Sequence, residues 1–365
     1  MPETSPARVA NFNAGPAAMP RSVLERMQSE LLDYRGRGLS VLEMSHRSED
    51  FADIAAQADS DLRQLLAIPD NYTVLYMQGG ASAQFSLCVQ NLDVAGRVAY
   101  LNSGYWARKA MDSARPLTQV SEVASAQAQP RIQLPDSSQW ADCRDASFLH
   151  LTDNETIDGI VLHELPESAD VPLVCDMSSS ILSRPLDIQR YGLIYAGAQK
   201  NIGPAGITLV IVRNDLLERS AERALPPVFS YAAMAKAGSM LNTPPTFAWY
   251  SAGLVFQWLL EEGGLSVVAE RNERQAQRVY AAIDGHDMYI NRVHPQNRSL
   301  MNVPFQLTQE ALTGEFLQGA ANRGFVGLKG HKSVGGLRAS LYNAVTDRAV
   351  DELVDYLHFF AEHHA

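Results

Sequence analysis

Residues 193–213 read LIYAGAQKNIGPAGITLVIVR. Two apolar runs, Leu193–Ala198 and Ile207–Arg213, enclose a stretch of small residues that carries one lysine, Lys200. The second run hardly alternates between polar and apolar, which is the pattern of a strand covered on both faces. It is expected inside a sheet. Lys200 leaves the first run and enters Asn201-Ile202-Gly203-Pro204-Ala205-Gly206, where small side chains let backbone and amine approach a bulky ligand. An amine so placed can condense with an aldehyde. Taken alone, a lysine at a strand end more often reaches for water.

Working outward, further strand candidates are Tyr72–Gln78, Arg97–Ser103, Phe148–Leu151 and Pro172–Asp176, separated by helical patterns. This rhythm predicts an α/β fold with a large, mostly parallel sheet under helices. Apolar residues recur at helical spacing at Phe51, Ile54, Ala55, Ala58, Leu62, Leu65 and Leu66, and again at Val350, Leu353, Val354, Leu357 and Phe360. Phe247–Leu260 reads as a buried helix, interrupted by Ser251 and Gln257 and too short to span a bilayer. Between Ala124 and Asp145 the pattern fades, and a surface excursion is expected there. Gly263-Gly264 stops the long apolar helix and permits a change of direction. The expected division is therefore a large domain over 16–262 and a smaller α+β domain over 263–365, with segment 1–15 packing on the latter. Leu300–Gln306 and Gly336–Tyr342 are the small domain's strand candidates.

The chain has 365 residues, 46% of them hydrophobic and 19% charged, enough for two cores. Asp and Glu outnumber Lys and Arg by 41 to 30, a net charge of −11, which argues against a nucleic-acid or anionic-membrane surface. An anionic ligand would need a local cluster of cations. Cys88, Cys143 and Cys175 are an odd number with no CxxC pair, so no disulfide framework or metal site is expected, and a reducing cytoplasm is. Met1 to Ala10 carries Glu3 and Arg8 and lacks the apolar centre of a signal peptide.

Asp176 changes the reading of Lys200. It ends the run Val171–Cys175, at the carboxyl edge of the sheet where ligands of such folds bind. A carboxylate there can keep a pyridine nitrogen protonated, which makes the ring a better electron acceptor. The bland role of such an Asp is to cap the next turn. Strand-end Asp and strand-end Lys, one β-α-β step apart, together point to a pyridoxal phosphate site. Gln78-Gly79-Gly80-Ala81-Ser82-Ala83-Gln84 links a strand to a helix and could offer N–H groups and the Ser82 hydroxyl to a phosphate. Trp106, after the strand Arg97–Ser103, could stack on the ring. Cations stand at His46-Arg47, His331-Lys332 and Arg338; the last lies in a strand-like run where a guanidinium could clamp a carboxylate.

Asn11–Pro16, Glu43–Arg47, Asn154-Glu155-Thr156-Ile157-Asp158-Gly159, the Lys200 segment, Asn242–Thr246 and the Arg338 strand occur in an order that resembles the phosphoserine aminotransferase family, class-V aminotransferases of PLP fold type I. The likeness runs from about Asn11 to the C-terminal helix. It implies an aspartate-aminotransferase-like homodimer using pyridoxal 5′-phosphate. By the resemblance, Lys200 would carry the cofactor and shuttle the proton, Asp176 would pair with the pyridine nitrogen, Trp106 would stack on the ring, and Thr156 would bond its phenolic oxygen side. Ala81, Ser82 and Gln199 would hold the phosphate, completed by Asn242 and Thr243 of the partner chain. Arg338 would bind the substrate α-carboxylate, and His46, Arg47, His331 and Lys332 its distal phosphate or carboxylate. Ala81-Ser82 stands where some members have Gly-Arg, so the cradle has less positive charge. Lys332 stands where many have Arg, which keeps the charge and loses the fork.

The reaction so implied passes the amino group of L-glutamate to 3-phosphooxypyruvate, giving O-phospho-L-serine in serine biosynthesis. A phosphorylated hydroxythreonine, used in pyridoxine biosynthesis, is a second substrate by the same analogy. Competing readings are a small non-phosphorylated 2-oxo acid, against which the cations argue, and a cysteine-desulfurase-like activity, for which only Cys143 lies in an irregular segment. Gly327–Ser333 lacks the G-x-x-x-x-G-K-[ST] of a P-loop. A non-catalytic relative would be expected to have lost Lys200 or Asp176.

Overall fold

The computed structural model describes residues 8–128, 130–166 and 171–364; residues 1–7 of the segment expected to pack on the small domain lie outside the described residues. The central sheet has seven strands: Tyr72–Met77 (β1), Arg97–Asn102 (β2), Gln119–Ser125 (β3), Leu149–Thr152 (β4), Leu173–Asp176 (β5), Leu193–Gly197 (β6) and Thr208–Arg213 (β7). Their spatial order is β1-β7-β6-β5-β4-β2-β3. Only β7 runs against its neighbours, pairing antiparallel with β1 and β6. Thr208 to Val212 are all buried, as their unbroken apolar run requires of a strand with a neighbour on each side and helices above and below. The edge strand β3 departs from the expected excursion, which it enters through Ala124 and Ser125. Its one buried residue is Val123, so it has no apolar run to announce it. Beyond β3 the excursion adheres to the segment after Tyr289–Ile290, where the Ile132 N–H donates to Arg292 O and the His294 N–H to Ile132 O, both at 2.8 Å.

The helices that matter for the site are Glu49–Leu66 (α1), Gly80–Leu92 (α2), Tyr105–Ala114 (α3), Thr246–Glu261 (α4), Gly264–Asp284 (α5) and Asp347–His363 (α6). The Ser48 hydroxyl accepts the Phe51 N–H at 3.3 Å to start α1, with Glu49 and Asp50 favourably placed in its first turn. Phe51, Ala55, Ala58, Leu62 and Leu66 form its buried stripe, each large member contributing about 1.5–3 kcal/mol by leaving water. Phe51 meets the Trp249 ring edge-on at 5.9 Å, and a Cβ added to Gly253 would stand 3.1 Å from that of Ala58. α1 and α4 thus run side by side in the same direction. The loops that precede them, carrying His46-Arg47 and Asn242-Thr243, share one end of the pair.

The small sheet, Tyr289–Ile290 (β8), Asn302–Leu307 (β9) and Leu337–Ser340 (β10), is antiparallel in chain order. Val303, Phe305, Leu337 and Ala339 pack there against Phe316, Leu353, Leu357 and Phe360. Ala10–Asn11 pairs with Phe325–Val326, and Phe12 is buried in the same core. Leu265 and Val268 of α5 belong to the core of the large sheet, whereas Ala276 to Ile283 belong to the small one, so α5 ties the two together. Buried asparagines do the same across the cleft: Asn154 donates to Asn302 Oδ1 at 2.8 Å and the Asn343 N–H to Asn201 Oδ1 at 3.1 Å. Among the described residues no helix is long and apolar enough to cross a membrane.

Candidate active site

β5 and β6 are parallel neighbours, and Asp176, the last residue of β5, is in register with Tyr195 of β6. Lys200 follows the end of β6 by three residues, so both groups emerge at the carboxyl edge of the sheet. The Gln199 side chain folds back over Gly197, where a Cβ would lie 2.7 Å from Gln199 Oε1, so the glycine leaves room for that side chain. Asp176 is buried, and its Oδ1 accepts the Ser178 N–H at 2.9 Å. Burial raises its pKa above the usual carboxylate value, opposed by the Ser178 hydrogen bonds and by the charge of Lys200. Loss of water pulls the Lys200 ammonium down to about 8, while Asp176 pulls the other way. Each group therefore feels the other's charge. Lys200 Nζ donates to Thr156 Oγ1 at 2.6 Å.

Thr156 also faces the small sheet. Its carbonyl accepts from Arg338 Nη1 of β10 at 3.3 Å. Arg338 is only 9% exposed, its Nε has no partner, and no described carboxylate lies within ion-pair distance. Burial lowers its pKa, opposed by the Tyr342 hydroxyl. A buried guanidinium left uncompensated is destabilising by several kcal/mol, and a planar anion reached through two N–H groups removes most of that penalty.

The segment 154–159 also holds α3, which starts at Gly104 with no local cap. The N–H groups of Trp106 and Ala107 donate to Glu155 Oε2 and Oε1 at 2.8 and 2.9 Å, and the Tyr105 N–H donates to Asp158 Oδ2 at 2.8 Å. A Cβ at Gly104 would stand 2.6 Å from Asp158 Oδ2. Burial, then the charge of Asp158, pushes Glu155 up to about 7. The indole Nε1 of Trp106 is buried without a partner. The sequence reading assigned no role to Glu155 or Asp158. Their only signal there was a pair of acids flanking Thr156, and the helix they cap lies about fifty residues away in sequence, so local capping rules cannot find it.

At the other nominated positions the structure is more open. Gly79 has φ +96° and caps α2 without a side-chain hydrogen bond, which leaves the first-turn N–H groups free for an anion beside half-buried Ala81 and exposed Ser82. His331 lies over the Tyr105 ring at 5.5 Å and bonds Ser333 Oγ at 2.6 Å. Desolvation, then the charges of Arg338 and Lys332, lower its pKa. Lys332, Arg47, Asn242 and Thr243 are exposed, and His46 Nε2 is buried without a partner. Among the described residues no hydrogen bond or ion pair joins these to the Lys200 cluster. The Gly330 N–H donates to Gly336 O, so Gly327–Ser333 is a hairpin leading into β10 and has no strand-to-helix phosphate loop. Cys88 and Cys175 are buried, and burial pushes the Cys88 thiol up to about 12, which leaves neither fit for nucleophilic sulfur chemistry.

A buried carboxylate and a desolvated amine on one sheet edge, an uncapped helix start and an unpaired guanidinium fit pyridoxal phosphate and an anionic substrate. Fold and site together define a PLP-dependent transferase of fold type I. The chain belongs to the class-V aminotransferase family, whose profile matches residues 9–353, and within it to the phosphoserine aminotransferases. It is 53% identical to the phosphoserine aminotransferase of Azotobacter vinelandii over 98% of this chain and 99% of that one. A solved phosphoserine aminotransferase from Bacillus circulans superposes with a TM-score of 0.94 at 44% identity, over 98% of this chain and 99% of that one. A PLP-bound phosphoserine aminotransferase from Trichomonas vaginalis gives 0.92 at 40% identity, over 96% and 99%.

Proposed function

We propose that the protein passes the amino group of L-glutamate to 3-phosphooxypyruvate, releasing 2-oxoglutarate and O-phospho-L-serine for serine biosynthesis. The observation that carries this reading is the buried, unpaired Arg338 guanidinium joined through Thr156 to the desolvated Lys200 amine. When bound, pyridoxal 5′-phosphate supplies an aldehyde that takes up the amino group and a ring that accepts electrons from the substrate α-carbon.

Lys200 would hold the cofactor and, as a free amine, would move the proton at the substrate α-carbon; a pKa near 8 lets it act as base and then acid at neutral pH. Asp176 keeps the ring nitrogen protonated, since a buried carboxylate stays charged only with a cation against it. Trp106 would stack on the cofactor ring and Thr156 would hydrogen-bond its phenolic oxygen. The start of α2, with Ala81 and Ser82, and Gln199 receive the cofactor phosphate. Arg338 takes the α-carboxylate that every donor and acceptor shares, and His331 and Lys332 receive the distal anion. The active form is a homodimer in the cytoplasm, in which Asn242 and Thr243 complete the partner's phosphate site. His46 and Arg47 stand at the same end of the α1–α4 pair and reach the same neighbour. A phosphorylated hydroxythreonine fits the same cations.

The test is an absorbance spectrum of the purified protein before and after L-glutamate. A visible cofactor band that bleaches with glutamate, and returns with 3-phosphooxypyruvate but not with pyruvate at equal concentration, is expected. Equal return with pyruvate would remove the role given to the cations.

A further inference from the structure

We propose that Glu155 is a positioning residue: with Asp158 it replaces the missing cap of α3, and so fixes the Trp106 indole relative to the Lys200 amine. The inference rests on the cofactor reading above. An α-helix leaves its first N–H groups without intrahelical partners, and these are ordinarily met by a side chain just ahead of the helix. Here the residue ahead is Gly104, which has none. The first intrahelical bond is Arg108 N–H to Gly104 O at 3.1 Å, and the three N–H groups before it all go to the two carboxylates of the segment 154–159. The Ser103 hydroxyl adds a further bond to Glu155 Oε1 at 3.0 Å.

Thr156 lies between those two acids and accepts from Lys200 at 2.6 Å. One short stretch therefore sets the distance from the indole to the amine. The stretch is itself pinned from behind: a Cβ on Gly159 would lie 2.2 Å from Pro304 Cδ, and the Gly159 N–H donates to Glu155 O at 2.8 Å. Glu155 is fully buried and its carboxylate is spent on the helix, so it acts through Trp106 and touches neither ring nor substrate. Its place, two acids facing the positive end of α3, is also the arrangement that the helix dipole favours.

The experiment strips cofactor from wild type, Glu155→Gln and Thr346→Ala, then titrates pyridoxal 5′-phosphate back and records affinity and visible circular dichroism. Thr346 caps α6 by accepting the Ala349 N–H, takes no part in the hydrogen bonds around Lys200, and serves as the control for a general loss of helix stability. Glu155→Gln is expected to weaken cofactor binding at least about tenfold and to change the dichroic band, because an amide cannot accept all the bonds a carboxylate accepts. Thr346→Ala is expected to lower the melting temperature and leave affinity and band unchanged. Wild-type affinity and band in Glu155→Gln would overturn the proposal. If that variant does not fold, Asp158→Asn is measured in its place with the same two outcomes. A wild type with no cofactor band would count against the function itself and not against this role.

Discussion

The site has an interior and a rim, and they are built differently. In the interior, Asp176, Lys200, Thr156 and Arg338 are buried or half-buried, and each is fixed by a neighbour within hydrogen-bond reach. On the rim, Arg47, Lys332, Asn242 and Thr243 are exposed and bonded to nothing in the cluster. The difference teaches where the chemistry resides. Interior groups have shifted proton equilibria because they have lost water, and their geometry is set before a ligand arrives. Rim groups keep their water and act as charges that a phosphate or a second chain can gather.

The comparison breaks most sharply at Lys200. Lys200→Ala removes both the covalent anchor and the proton carrier, so a loss of at least about 10⁴-fold in kcat is expected from single-turnover measurements with glutamate. A loss below about tenfold would place the chemistry elsewhere. The next largest effect is on pH. A base whose pKa is lowered to about 8 is neutral above that pH and protonated below it. The rate at which cofactor-free protein captures pyridoxal 5′-phosphate should therefore rise about tenfold per unit up to about pH 8 and then level off. A rate still climbing toward pH 10 would mean an ordinary, hydrated lysine. Third is Arg338→Lys, which keeps the charge and loses the fork. One charge-assisted bond is worth about 1.5–3 kcal/mol, so kcat/KM should fall by about 10–150-fold for donor and acceptor alike.

Much of the interior was legible in the sequence because its parts are local. The run Ile207–Val212 betrays a strand inside the sheet, and Asp176 and Lys200 each end a readable strand. The strand β3 was not legible, since an edge strand with one buried residue has no periodicity to show. Glu155 and Asp158 stood in a recognisable motif, but their work is to cap a helix that only the sheet brings near. The way the α1–α4 pair gathers His46-Arg47 and Asn242-Thr243 likewise depends on packing that two separate helical stripes do not encode.

The smallest expected effect is at Lys332, and it sharpens the comparison because it is the reverse of the Arg338 swap. Lys332→Arg restores on the rim the fork that Arg338→Lys removes inside. An exposed ion pair contributes about 0–1 kcal/mol and is screened by salt, so the change in KM for O-phospho-L-serine should stay within about fivefold and shrink further at high ionic strength. The effect of Arg338→Lys should be nearly insensitive to salt, because residue 338 is 9% exposed and screening ions do not reach it. Matching salt dependences for the two swaps, measured over the same range of ionic strength, would mean that the hairpin carrying His331 and Lys332 closes over the ligand and becomes interior itself.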